Sequence, residues 1–177
     1  MTRAHARTGL ALLAGLASLA AAPAQVRTDA AAGLDALPRE RIVLETHASR
    51  SHEFRAWRAD TPEARAQGLM RVTELRDDDA MIFIYDSPQI VSMWMKNTYI
   101  PLDMLFVDAA GCIVSIAERT RPLSLASIES GRPVVLVVEL KGGLVAARGL
   151  RVGDRVSRPE VAWPGSKAHC AERPPAR

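Results

Sequence analysis

The sequence predicts a mainly β domain: a small antiparallel β-barrel, closed or partly open, with two short helices. Two observations support this prediction. The middle of the chain divides into about seven short stretches of β-branched, aromatic or alternating residues, each bounded by glycine, proline, aspartate or asparagine. Only two stretches carry helix signals, and both are short. Closing such a sheet into a barrel would remove its exposed strand edges.

The first strands are predicted as a hairpin. Residues 41–46 and 53–59 alternate between apolar and polar side chains, as half-buried strands do. Residues 81–85 (MIFIY) are fully apolar and predict a buried strand. We therefore expect three strands in the first half of the domain.

The second half of the domain predicts further strands. Residues 102–107 and 112–117 flank an Asp-Ala-Ala-Gly turn, in which Gly111 supplies the positive φ that such a turn requires. Residues 133–140 are the most β-branched run of the chain, which predicts a central strand. Gly153 and Asp154 form a tight turn that leads into the last strand.

Both helices have recognisable ends. Thr61 can cap the first, with Pro62 at its first position and Gly68 at its end. The second helix, residues 144–148, is predicted to end at Gly149.

The N-terminus predicts a secretory signal peptide over residues 1–24. Basic residues precede an apolar run of about 14 residues, which is shorter than the roughly 20 that span a membrane. Ala22-Pro23-Ala24 has the small residues that signal peptidase reads, so we expect cleavage before Gln25. The sequence therefore predicts a periplasmic or secreted protein with no stable membrane insertion after cleavage.

The remaining chain divides into a flexible lead-in at residues 25–40, the barrel domain at 41–157 and an irregular tail at 158–177. The whole chain has 23 Lys and Arg against 20 Asp and Glu. Because Arg3 and Arg7 leave with the signal, the processed chain has 21 against 20. This near-neutral balance gives no electrostatic support for binding to nucleic acid or to an anionic membrane.

Several motifs together resemble the family called domain of unknown function 192. The residues that carry the resemblance are Thr61–Met70, Met81–Tyr85, Ser92–Asp108 (SMWMKNTYIPLDMLFVD), Gly111, Val137–Gly143 (VVELKGG) and Gly149–Val156 (GLRVGDRV). The resemblance implies a compact β-rich domain, often exported, without an established activity. The chain departs from the family pattern at Val72, where an arginine is usual and Arg71 stands next to it, and at Ala80, where a glycine is usual.

The stretch MWMKNTYIPLD supplies the candidate site. A strand over residues 91–97 would place the methionines on its core face and Trp94 and Lys96 on the outer face, where the ammonium can lie beside the indole. Asn97 begins a loop, and Asp103 re-enters the next strand. We therefore predict a ligand site at Trp94, Lys96, Asn97 and Asp103, with Asp154 as an outlying member.

The function predicted is that of a cell-envelope binding or accessory module for a small ligand, a saccharide or a carboxylate. A hydrolase of envelope polysaccharide is the rival, with Asp103 as acid or base and Asp154 or Glu139 as its pair. A purely structural role, in which Asn97 closes the loop and Asp103 pairs with Lys96, is the third alternative. The chain carries no motif of a catalytic mechanism.

No cofactor is predicted. Copper(I) is a minor alternative, because thioethers favour it and five methionines fall within 35 residues: Met70, Met81, Met93, Met95 and Met104. Methionine is also a common core filler, and the histidines lack the spacing of zinc ligands.

The two cysteines, Cys112 and Cys170, can pair in an oxidising compartment, or Cys112 can be buried as an apolar residue with Cys170 free.

Overall fold

The computed structural model describes residues 33–161 and Cys170. The predicted signal peptide, residues 1–24, the first part of the lead-in and most of the predicted tail lie outside the described residues. In the described part of the chain, no helix is long and apolar enough to cross a membrane.

The described residues form a β-rich domain. A helical turn at residues 33–35 precedes its main elements. These are β1 (Arg39–Glu45), β2 (Ser51–Ala59), α1 (Pro62–Gln67), β3 (Asp79–Gln89), β4 (Ser92–Met93), β5 (Leu102–Val107), β6 (Ile113–Ala117), β7 (Ile128–Glu129), β8 (Val134–Lys141), α2 (Leu144–Arg148) and β9 (Arg155–Ser157). The mainly β prediction and both predicted helices are confirmed, whereas the helical turn at residues 33–35, within the predicted lead-in, was not predicted.

Seven strands form one sheet in the order β6-β5-β8-β3-β2-β1-β9, and β4 pairs with β7 in a separate small sheet. All neighbours in the large sheet are antiparallel except β2 and β3. This pair is parallel because α1 crosses between them, and a crossover returns the chain in the same direction. The predicted antiparallel arrangement therefore holds for every pair of the large sheet except this one.

The large sheet curls into a half-barrel, so of the two predicted alternatives, a closed or a partly open barrel, the closed one is wrong. Its edge strands β6 and β9 do not pair in a ladder. They approach at one isolated bridge, between Cys112 and Arg155. A disulfide joins Cys112 to Cys170, with a Cα–Cα distance of 5.4 Å, and therefore ties the C-terminal region to this seam. Three-residue β9 is too short to close the barrel.

Both faces of the sheet are buried, each under its own apolar cluster. The first face carries Met81 and Phe83 of β3 and packs against α1 and the segment around Met93 and Met95. The second face packs against α2 and Leu150. Burial on both sides explains why β3 and β8 are continuous apolar runs rather than alternating ones.

The caps of α1 follow the predicted pattern. The Thr61 Oγ1 accepts a hydrogen bond of 3.2 Å from the Ala64 N–H, and Pro62 occupies the first helical position. Gly68 ends the helix with φ of 50°, and a Cβ there would lie 3.2 Å from the Phe83 ring. The chain therefore needs glycine here both for its backbone angle and for close packing.

Candidate functional site

The segment after β4 alternates between core and surface as predicted. Met93 and Met95 are buried, whereas Trp94 and Lys96 are exposed. The strand itself covers only Ser92–Met93, because the chain turns at Asn97, which has φ of 54°. The Lys96 ammonium lies 6.0 Å from the centre of the Trp94 ring, at the outer limit of a cation–π contact.

A cleft lies between this segment, α1 and the first face of the large sheet. Its volume is about 20 Å³, which is room for one water molecule. It is lined by Arg65, Ala66, Gln67, Gly68, Leu69, Met70, Phe83, Met93, Trp94, Lys96, Thr98 and Glu139. The cleft is therefore shallow, with an aromatic and a cationic side chain at its mouth.

Glu139 is the acidic member of the cleft lining, and it is almost completely buried. It lies on β8 directly across from Met81 on one neighbouring strand and Met104 on the other. Its Oε2 is the one buried carboxylate oxygen of the described residues that has no hydrogen-bond partner in the protein. Burial among apolar neighbours raises the pKa of Glu139 to about 8, so the group is mainly a neutral acid at pH 7.

The surroundings of Glu139 add an aromatic and a cationic side chain. Burial raises the pKa of the Tyr85 hydroxyl, the Arg65 charge opposes that rise, and the Glu139 charge adds to it. The Arg65 guanidinium lies 5.2 Å from the centre of the Tyr85 ring and donates to the Ile84 carbonyl at 2.9 Å. The cleft thus combines a neutral buried acid with cations at its rim.

Asp103 does not face this cleft. It pairs with Leu140 across β5 and β8, one register position from Glu139, so its side chain points to the opposite face of the sheet. Its Oδ1 accepts from the Arg119 N–H at 2.7 Å, and its Oδ2 accepts from the N–H groups of Gly143 and Val145 at 2.9 and 2.8 Å. The predicted convergence of Asp103 with Trp94 is therefore wrong, and Asp103 caps α2 instead.

Asp154 and Asn97 also lie apart from the cleft lining. The buried Asp154 carboxylate accepts from the His47 backbone N–H at 2.9 Å, from the His47 ring and from the Arg151 N–H at 2.8 Å. The Asn97 side chain makes a weak contact of 3.8 Å with the Met70 sulfur. Trp94 and Lys96 are thus the predicted site residues that the structure places together in the cleft.

A second, larger hollow of about 330 Å³ lies beside the bulge of β3. Its lining includes Ile84, Tyr85 and Arg158. Arg158 is already paired with the buried Glu40 carboxylate: its Nη2 donates to Glu40 Oε2 at 2.8 Å. None of the unpartnered buried polar atoms of the described residues lines this hollow, so we place the candidate site in the smaller cleft.

The methionines divide between core and cleft. Met81, Met95 and Met104 are fully buried in the first apolar cluster, whereas Met70 and Met93 line the cleft. Among the described residues, no group of three or more His, Cys, Asp or Glu side chains is arranged to hold a metal ion.

Glu139 was not among the ligand-site residues predicted from the sequence. It is the single acidic residue in the run VVLVVELK. The valines and leucines of this run predict a buried strand. An ionisable residue inside such a run is unusual, because charged groups are almost never fully buried without a partner. That signal was available in the sequence.

Comparison with known proteins places residues 43–158 in one family profile, DUF192, described as "Uncharacterized ACR". The chain is similar to a candidate transcription regulator from Sinorhizobium meliloti 1021, whose crystal structure is known; the two sequences are 40% identical. The structures superimpose with a TM-score of 0.69, and the match covers 71% of this chain and 97% of that chain. A protein of unknown function from Novosphingobium aromaticivorans DSM 12444 is 35% identical, with a TM-score of 0.66 over 68% and 86%. No curated protein sequence matches the chain.

The two positions that depart from the family pattern are both buried. Ala80 is fully enclosed in β3, and Val72 packs in the first apolar cluster. The neighbouring Arg71 is exposed, and its N–H donates to the Asn97 carbonyl at 2.7 Å. Arg71 therefore supports the turn beside the cleft through its backbone.

Proposed function

The chain belongs to the DUF192 family of uncharacterised proteins, and from that premise we propose that it is an exported cell-envelope module that binds a small polar ligand at the Glu139 cleft. The observation that carries the proposal is the unpartnered Glu139 carboxyl oxygen at the base of a cleft whose mouth holds an exposed tryptophan. A buried polar group without a partner costs stability, on the order of 1–3 kcal/mol. A ligand group that supplies the missing hydrogen bond recovers part of that cost.

The shape and chemistry of the cleft define the ligand class. With room for about one water, the cleft admits a single hydroxyl group or one oxygen of a carboxylate, and not a whole sugar ring. The rest of the ligand would lie across the exposed Trp94 indole, where the face of a sugar ring stacks well. A neutral Glu139 acid can donate to a carboxylate that Lys96 and Arg65 also attract. A saccharide or a small carboxylate fits both features.

A polysaccharide hydrolase is less well supported, because its two carboxylates must face one substrate. Asp103 lies on the face of the sheet opposite Glu139, and Asp154 is held by His47 and Arg151. Glu139 therefore acts as a single binding group in this proposal.

The binding test uses Glu139→Leu and Trp94→Ala in ligand-observed NMR against a panel of mono- and disaccharides and small carboxylates. The wild type should bind at least one class, and each variant should weaken that binding by tenfold or more. Leucine removes an unpartnered polar atom at similar volume, so Glu139→Leu should not lower the free energy of unfolding at pH 7. Exposed Asp86, which lies away from the cleft lining, supplies the control Asp86→Asn.

Binding that survives both substitutions would place the ligand elsewhere. Unfolding of Glu139→Leu at pH 7 would make Glu139 a structural residue. A panel in which the folded wild type binds nothing would leave the structural alternative as the better account of the cleft.

Export is tested separately by N-terminal sequencing of the protein recovered from its native host. The apolar run and Ala22-Pro23-Ala24 predict a first residue at or near Gln25 in the envelope or extracellular fraction. Intact Met1 in the cytosolic fraction would contradict the envelope location without bearing on the cleft.

A further inference from the structure

Three loop segments next to the cleft are joined into one surface by backbone hydrogen bonds. We call them together the loop surface: residues 69–72, 94–99 and 119–125. The Arg71 N–H donates to the Asn97 carbonyl at 2.7 Å, which joins the first segment to the second. The Leu123 N–H donates to the Thr98 carbonyl at 3.1 Å, which joins the second to the third. The backbones of the three segments are therefore held next to one another.

The loop surface exposes large apolar side chains. Trp94 is 52% exposed, Tyr99 50%, Leu123 57% and Leu125 73%. These are four of the seven large exposed apolar residues among the described residues, although the three segments are a small part of the chain. Grouped apolar exposure of this kind marks a surface that contacts another apolar phase.

Backbone strain is concentrated on the same surface. Five non-glycine residues of the described chain have positive φ, and four of them belong to the loop surface: Arg71, Asn97, Arg119 and Leu123. Leu123 has φ of 61°, a conformation that is costly for a branched apolar side chain. The fold holds this leucine outward in a strained turn where glycine would be easier, and such strain collects at functional surfaces.

The charges of the loop surface are all positive. Its three segments contain Arg71, Lys96, Arg119 and Arg121, all exposed, and no acidic residue; Glu74 and Glu118 lie just outside them in sequence. Within the described part of the chain, none of these four cations has a carboxylate within salt-bridge distance. Cations elsewhere do, including Arg41, Arg55, Arg76 and Lys141. The near-neutral total charge therefore conceals a locally cationic surface.

We propose that the loop surface docks the protein peripherally on an anionic lipid surface. Exposed Trp and Tyr side chains favour the boundary between lipid headgroups and acyl chains, and leucines at loop tips can enter the acyl layer. Unpaired Arg and Lys side chains attract the phosphates of anionic headgroups. Charge complementarity selects this occupant, because the four cations share the three segments with the four exposed apolar side chains and no acidic residue lies among them.

The docking can be tested apart from ligand binding, because Leu123, Leu125 and Arg121 do not line the cleft. Five residues belong to both the loop surface and the cleft lining: Leu69, Met70, Trp94, Lys96 and Thr98. A ligand bound at Glu139 would then lie close to the membrane surface. The two proposals can fail separately when variants avoid the shared residues.

The test is vesicle co-sedimentation of the chain beginning at Gln25, which keeps every described residue. Vesicles of phosphatidylglycerol and phosphatidylethanolamine should bind the wild type at low salt, and pure phosphatidylcholine should bind it at least tenfold more weakly. Binding should fall as ionic strength rises towards about 1 M, where the Debye length is about 3 Å. Leu125→Ser and Arg121→Glu should each weaken binding about tenfold, and their far-UV circular dichroism should match that of the wild type.

Two variants serve as controls. Val152→Ser changes an exposed apolar residue outside the loop surface, and Glu139→Leu changes the cleft; both should bind vesicles like the wild type. Wild-type protein that ignores anionic vesicles, or binding unaffected by Leu125→Ser and Arg121→Glu, overturns the proposal. Self-association that Leu125→Ser abolishes, without lipid binding, would also overturn it and assign the surface to a protein contact.

Discussion

The two faces of the large sheet hold their buried carboxylates in opposite ways. On the face under α2, Asp103 is fully buried and accepts three backbone hydrogen bonds of 2.7–2.9 Å. On the face under α1, Glu139 is buried to a similar degree and leaves one oxygen without a partner in the protein. The two residues belong to adjacent strands and are one register position apart.

The difference teaches that burial does not by itself distinguish a structural acid from a functional one. Asp103 replaces water with three fixed donors, so its carboxylate stabilises α2 and the loop at Arg119. Glu139 replaces water with methionine and phenylalanine side chains, so its carboxyl group keeps its proton to a higher pH. An unpartnered buried oxygen of this kind costs stability, which is the reason for the proposal that Glu139 binds a ligand.

The largest effect expected from this contrast is a dependence of stability on pH that comes from Glu139. Its pKa is about 8 in the folded protein against 4.5 as its ordinary value, so the folded state binds more protons than the unfolded state between these values. Stability should therefore fall as pH rises from about 4.5 to 8, by roughly 4–5 kcal/mol in total. Glu139→Gln should match the wild type near pH 4.5 and exceed its stability above pH 8, as measured by urea denaturation.

Asp86→Asn is the matched control, because Asp86 is exposed. Its stability curve against pH should follow that of the wild type. Parallel curves for the wild type and Glu139→Gln would show that Glu139 ionises in the folded protein as freely as in water, and the contrast between the two faces would fail.

A smaller effect is expected from Asp103→Asn. The amide oxygen can replace Oδ2 and accept from Gly143 and Val145, but the amide NH₂ would then face the Arg119 N–H, donor against donor. Loss of one charge-assisted hydrogen bond and a buried donor without an acceptor should cost about 3 kcal/mol. The shift in the urea midpoint at pH 7 measures this cost.

The same substitution at Asp86 serves again as the reference, because an exposed aspartate should change stability by about 0.5 kcal/mol or less. A loss for Asp103→Asn no greater than this would mean that its three hydrogen bonds do not support the fold.

Local signals predicted much of the fold. Both helices have the caps that Thr61, Gly68 and Gly149 indicated, and Gly111 has the positive φ expected at its turn. The parallel pairing of β2 with β3 was missed, because strand direction depends on where the crossover helix packs. The sequence left open whether the barrel is closed or partly open, because closure depends on the curl of the whole sheet and on the length of the last strand.

The candidate site was predicted in part for a similar reason. Alternation over residues 91–97 placed Trp94 and Lys96 at the surface, where the structure has them. Asp103 is close to them in sequence, but its position on β5 points its side chain to the other face of the sheet. Glu139 is far from them in sequence and reaches the cleft only because β8 pairs between β3 and β5.

The sequence by itself determined the β-rich class, the caps, the turns and the alternation of buried and exposed residues. These properties depend on interactions between residues that are only a few positions apart in the sequence. A short stretch of the sequence therefore contains the information that determines them. Only the tertiary structure decided which buried acid is satisfied, which is left unpartnered, and which loops join into one cationic apolar surface. Those outcomes depend on strand register, since a shift of β5 by one residue against β8 would bring Asp103 to the face that holds Glu139.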